Sequence, residues 1–216
     1  MIFNEWLDIL IYRKKPVDIS KTGLAEGLKH VAIASAITSF LVGISTWISL
    51  PFMSELAGSE AGGYALFGAT AGPLMLVMYT VLGPISTVIS SLIIGGILHI
   101  FSLIFGGKGK YENYVGVLAK IDAALQGTIG VLLAIILIVV ALLGADAYFA
   151  SMPLIIAIGL IMGFWSLVLA VLATQAVQKL SLGKAILAVV IIPLIIGTVL
   201  LALLIALLSM LFPPAI

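Results

Sequence analysis

The chain has 216 residues, 63% of them hydrophobic and 9% charged, against roughly 45–50% and about 25% in an average soluble domain. Such a chain cannot cover itself with polar surface in water, so it reads as a membrane protein. A net charge of +1 with no charged tail gives no footing for nucleic acid, and the absence of cysteine excludes disulfides, thiolate metal sites and cysteine nucleophiles.

Residues 1 to 15 place Ile2, Phe3, Trp6, Leu7, Leu10 and Ile11 at helical spacing, with Asn4, Glu5 and Asp8 opposite. Arg13, Lys14 and Lys15 follow the apolar residues, the reverse of a secretory signal. The pattern predicts a cytoplasmic amphipathic segment over residues 1–30. Its helix lies either in the membrane interface, basic trio on lipid headgroups, or against the protein's own cytoplasmic face. Pro16 ends that helix.

A first span is expected over residues 31–50, long enough for a hydrocarbon core of roughly 30 Å. Ala32, Ala34, Ser35, Ala36, Ser39 and Gly43 suit close helix contact, Trp47 suits an aromatic belt, and Pro51 closes the span before a loop holding Glu55 and Glu60. Residues 64–105 then stay apolar, by length enough for two spans. Charge sorting decides for one. All ten Lys and Arg residues lie before residue 30, at Lys108, Lys110 and Lys120, or at Lys179 and Lys184. A single crossing puts every one of them on the same side, as the positive-inside rule requires.

Span two is therefore expected at 84–105. Residues 64–82 form a re-entrant, interfacial or Pro-kinked extension, broken near Gly72, Pro73, Gly83 and Pro84. Further spans are expected at 127–143, 153–174 and 185–208, the last kinked at Pro193. Together, residues 31–211 make an all-α polytopic bundle of five transmembrane helices. Its N-terminus is cytoplasmic and its C-terminus outside, in the plasma membrane if the source is prokaryotic.

Few polar residues approach the membrane core. His99 near the end of span two and Asp122 near the start of span three leave one short loop, so they could pair beside Gln126 as a polar intramembrane site. Alternatively Asp122 is interfacial and snorkels with Lys120. Gln126, Gln175 and Gln178 suit hydrogen bonds between helices. Arg13, Lys14, Lys15, Lys108, Lys110 and Lys120 are candidate lipid-headgroup contacts. Gly159 and Gly163 form a GxxxG pair that marks either a close helix crossing or chance in a chain with 22 glycines.

The run GGKGK at 106–110 lacks the Ser or Thr and the strand of a phosphate loop, and fits a helix C-cap. No catalytic constellation can be assembled and no cofactor or metal motif is present, so no enzyme is expected.

The segment GGILHIFSLIFGGKGKYENYVGVLAKIDAAL, with FWSLVLAVLATQAVQKLSLGKAILAVVIIPLI further on and EGLKH at Glu26 to His30, resembles the signature of the Yip-domain membrane proteins, the Ypt/Rab-interacting family. The resemblance implies five spans, a cytoplasmic N-terminus and, in eukaryotes, recruitment of small GTPases and roles in membrane shape. An N-terminal segment of about 30 residues is too short for the long acidic tail of eukaryotic members, which counts against small-GTPase binding. The family's frequent Tyr and Pro early in span three are absent, with Ile121, Asp122 and Ala123 nearby instead. The expected function is a non-enzymatic membrane scaffold that touches lipids and recruits membrane or cytoplasmic protein partners. The alternative is a small transporter or channel component with a polar path near His99 and Asp122. Partner identity and oligomeric state are not legible.

Overall fold

The computed structural model describes residues 2–56 and 62–211, with side chains for all of these except 51–56, 62–71 and 211. Among the described residues there are helices and turns and no strand. Five helices are long and apolar enough to cross a membrane, at Leu24–Leu50, Gly72–Ile104, Tyr111–Leu142, Ala145–Gln178 and Leu182–Met210. The protein is an integral, multi-pass, all-α membrane bundle.

A short helix, α1 (Ile2–Leu10), precedes the first span and ends where Tyr12 turns left-handed at φ 62°. The spans then alternate in direction through α2 (Leu24–Leu56) and α3 (Gly62–Ile104). The third is α4 (Tyr111–Leu125), continued through a π turn at Gln126–Gly130 into α5 (Val131–Leu142). The fourth is α6 (Ala145–Gln178). The fifth is α7 (Leu182–Ile186), a second π turn at Leu187–Ile191, and α8 (Ile192–Leu211).

The segment expected to be broken at 64–82 is instead part of one helix, α3, with Pro73 and Pro84 inside it. Its partner explains why. α2 and α3 form an antiparallel seam in which Trp47 covers Gly72, Leu76 and Tyr79 cover Gly43, and Ser39 covers Gly83. Thr87 donates to the Gly83 carbonyl and Ser35 bonds Thr87, each at 2.9 Å. A seam of small residues lets two backbones run close along their length, and such packing tolerates a proline inside a membrane helix. α2 likewise continues through Pro51 to Leu56, so Glu55 is helical; Glu60 lies outside the described residues.

α3 stops at a Schellman cap. Gly106 is left-handed at φ 89°, its N–H bonds the Leu103 carbonyl at 2.9 Å, and the Gly107 N–H bonds the Ser102 carbonyl at 2.8 Å. Only glycine takes that conformation without strain.

Packing is concentrated at one end of the bundle. Trp6, Ile9, Val31, Tyr114, Val117, Leu169 and Ala173 belong to a single buried cluster there. α4 is buried on nearly every side, and its Gly116 lies so close to Gly23, just before α2, and to Gly27 of α2 that a methyl group fits at neither Gly27 nor Gly116. At the other extreme, every residue from 194 to 210 in α8 is exposed, leaving hydrocarbon as its surroundings. The packed end is also the basic end. The start of α2, the turn between α3 and α4, and the turn between α6 and α7 meet there and carry the lysines.

Candidate functional site

Three features are built at the basic end. The first fastens α1. Burying Trp6 costs its indole N–H a water partner, and the group recovers one by donating to His30 Nδ1 at 3.0 Å. Because Nδ1 accepts, the His30 ring proton sits on Nε2, which faces Glu5 Oε2 at 4.0 Å. The Trp6 ring itself fills the space a side chain at Gly127 would need. From α6, Trp165 donates to the Leu10 carbonyl at 2.9 Å.

Lys120 closes this feature. It is 3% exposed and pairs with Glu26 at 2.6 Å and Glu5 at 3.0 Å, while Lys14 reaches Glu5 at 3.1 Å. Burial raises the Glu5 carboxyl, but hydrogen bonds and charge from Lys120 and Lys14 outweigh it and hold the group below the usual carboxylate range. Lys120 is thus corrected from a headgroup contact to an internal ion-pair partner. A buried ammonium needs carboxylates around it, and α1 and α2 each bring one. Of the two readings for α1, contact with the protein is present; Phe3, Leu7 and Ile11 nevertheless form an exposed apolar stripe beside exposed Arg13 and Lys15.

The second feature is a clasp around Gln178, fully buried at the end of α6. Its carbonyl oxygen Oε1 accepts the Gly109 N–H at 3.0 Å, its backbone carbonyl accepts the Lys108 N–H at 3.0 Å, and its Nε2 donates to His99 Nδ1 at 2.8 Å. One side chain and its own backbone thereby lock the GGKGK turn against α6. Gly107 and Gly109 have no room for a side chain against Ser102, Val177 and Gln178, so the glycines serve close approach. His99 also stacks edge-on against Tyr111 at 5.7 Å between ring centres. Tyr114, buried beneath, donates to Thr174 at 2.7 Å, since the Thr174 hydroxyl hydrogen goes to the Ala170 carbonyl. Lys108 and Lys110 are exposed, and Lys184 donates to the Phe105 carbonyl at the end of α3.

The third feature contains Asp122. The expected His99–Asp122 pair is absent: His99 is held by Gln178, and Asp122 accepts from Gln126 at 2.9 Å, one turn along its own helix. Lys120 and Asp122, two residues apart, face opposite sides of α4. Asp122 and Gln126 border a cavity of about 520 Å³ between α3, α4, α6 and the second π turn, and His99 is not among its lining residues. The pair Gly159 and Gly163 has open space around both positions, so it makes no close crossing among the described residues. The close crossing sets Gly116 against Gly23 and Gly27, which themselves have GxxxG spacing just before and inside the first turn of α2.

The Yip1 domain, as a family model, matches residues 20–204. The chain belongs to the Yip1-domain family. No curated protein and no solved structure matches it. The match to the Yip1 domain covers four spans and most of the fifth, and begins after α1. Glu5 and Trp6 therefore lie before the matched region, yet fasten to Glu26 through Lys120 and to His30 inside it. The clasp, by contrast, is wholly internal to the Yip1 domain.

Proposed function

We propose that this Yip1-domain protein is a non-enzymatic membrane scaffold that turns its basic end to the cytoplasm, holds both N-terminus and lysines on that side, and recruits protein partners there. One observation supports the reading above others: the end that carries the exposed Arg13, Lys15, Lys108 and Lys110 is also the end where α1 and the first four spans share one buried cluster, with the start of the fifth span packed in a second cluster. A rigid, cationic platform over loosely packed apolar helices suits docking of partners and anionic lipid. The opposite ends of the helices offer no comparable polar surface among the described residues.

Because the sequence contains no cysteine, single cysteines introduced at Arg13, Lys108 and Met210 test the arrangement with a membrane-impermeant thiol reagent. The first two are expected to be shielded in right-side-out cells and the third labelled. Labelling of Lys108→Cys opposite to Arg13→Cys would overturn it. Recruitment is tested by cross-linking in native membranes, wild type against Lys108→Glu with Lys110→Glu. Partner bands that depend on the lysines support it, and identical bands refute it.

A further inference from the structure

The cavity beside Asp122 is built differently from the rest of the membrane region. On its α3 wall, Ser86 and Thr87 return their hydroxyl hydrogens to the Gly83 carbonyl at 2.9 Å, the usual way a membrane helix satisfies such groups. Ser90, Ser91 and Ser166 border the same cavity and make no hydrogen bond among the described residues. Asp122 has one hydrogen-bond partner, Gln126, and forms no ion pair with any described Lys, Arg or His. Among the described lining residues it is the only acidic or basic one. A carboxyl with no ion pair among apolar helices gains from a cation or from further hydrogen-bond donors.

Size and wall chemistry narrow the occupant further. A volume of about 520 Å³ lies within the roughly 300–1,000 Å³ of small-molecule sites and far exceeds a bare ion. Leu98, Leu118, Leu167 and Val189 supply apolar walls. No aromatic ring lines the cavity, so a quaternary ammonium would find no cage. A primary ammonium has three donors, and one carboxyl with three free hydroxyls answers them. Both π turns adjoin the space, Gln126 opening one and Val189 lying in the other, and such turns are frequent at functional sites. We infer that the cavity is a binding site for a lipophilic primary amine, its ammonium on Asp122 and the serine hydroxyls and its alkyl chain along α3 and α6.

The test uses the full chain in vesicles of phosphatidylcholine with a diazirine-bearing dodecylamine as probe. Cross-links are expected on α3 and α6 around Leu98 and Leu167. Unlabelled dodecylamine should compete at about tenfold lower concentration than dodecyltrimethylammonium or N-acetyldodecylamine. Asp122→Asn should cut labelling about tenfold, and Leu167→Trp, which fills the space without touching the carboxyl, should also abolish it. Labelling spread evenly over the exposed faces of all spans would overturn the inference, as would equal competition by the three head groups. Should Asp122→Asn fail to fold, the head-group series on the wild-type protein decides alone.

Discussion

Gln178 and His99, 79 residues apart, share a hydrogen bond of 2.8 Å, and the orientation of that amide is set by what its other atom does. Oε1 is occupied by the Gly109 N–H, so Nε2 must be the donor and His99 Nδ1 the acceptor. The turn that looked like a degenerate phosphate loop is a lock between α3, α4 and α6. Its glycines make room for Gln178 and Val177, and its lysines point away.

Replacing Gln178 with Leu strands the Gly109 N–H and removes the donor to His99. The expected loss is about 1–3 kcal/mol, the cost of an unpaired group near the core, read as a lower unfolding midpoint in detergent. Gln178→Glu should lose less, since it still accepts from Gly109 and His99 can shift its ring proton to Nδ1 to donate. Equal losses would show that the amide merely fills space.

Lys120→Met tests the ion pairs around α1. A headgroup contact would tolerate the change within about 0.5 kcal/mol, whereas removal of an internal cation leaves Glu5 and Glu26 facing each other. The expected cost is about 1–3 kcal/mol, below the roughly 3–5 for a fully buried pair because both carboxylates keep some solvent. Limited proteolysis should cut within residues 2–15 faster in the variant, with little change elsewhere.

The same strap should loosen in acid. The Glu5 carboxyl is held below its ordinary value of 4.5, so its contribution to docking is complete above that pH and is lost as pH falls through the lower, folded-state value. Tryptophan emission in a Trp47→Phe background, which leaves Trp6 and Trp165 at the α1 contact, should shift on acidification from neutral pH to below 4.5. Glu5→Gln should show a flatter profile. An identical acid transition in the variant would assign it to another group.

Two glycine sites should respond in opposite ways. Gly116→Ala drives a methyl group into the Gly23 carbonyl, backbone against backbone, and should cost about 1–3 kcal/mol or more, since neither side can swing away. Gly159→Ala meets nothing within 4 Å and should be neutral or mildly stabilising, a helix interior favouring Ala by roughly 0.5–1 kcal/mol. Thermal unfolding of both variants in one detergent makes the comparison direct.

The residues that sequence reading placed well are those whose meaning is one-dimensional. Runs of apolar residues and the sorting of Lys108, Lys110 and Lys184 with the N-terminal cations depend only on position along the chain. Where a side chain points across a helix is another matter. Lys120 and Asp122 look alike in sequence, two charged residues at the start of a span, yet one is enclosed by carboxylates and the other borders a cavity. Gly159 and Gly163 carry the familiar crossing spacing and cross nothing among the described residues. Gly23 and Gly27 have the same spacing and do make a close crossing, on Gly116, 89 residues beyond Gly27, so the spacing alone does not tell the two pairs apart.

Composition and charge order, then, were enough to establish a lipid-embedded chain of five apolar helices with its cations gathered at one end, because hydrophobic length and basic residues act through the bilayer whatever the helices touch. Only the tertiary structure decided that residues 62–104 form one helix, that α1 is fastened by Lys120 and His30, and that Gln178 rather than Asp122 holds His99. Those outcomes follow from how neighbouring helices approach and rotate, and lipid, being as apolar as the side chains, leaves that choice to close packing and a handful of hydrogen bonds.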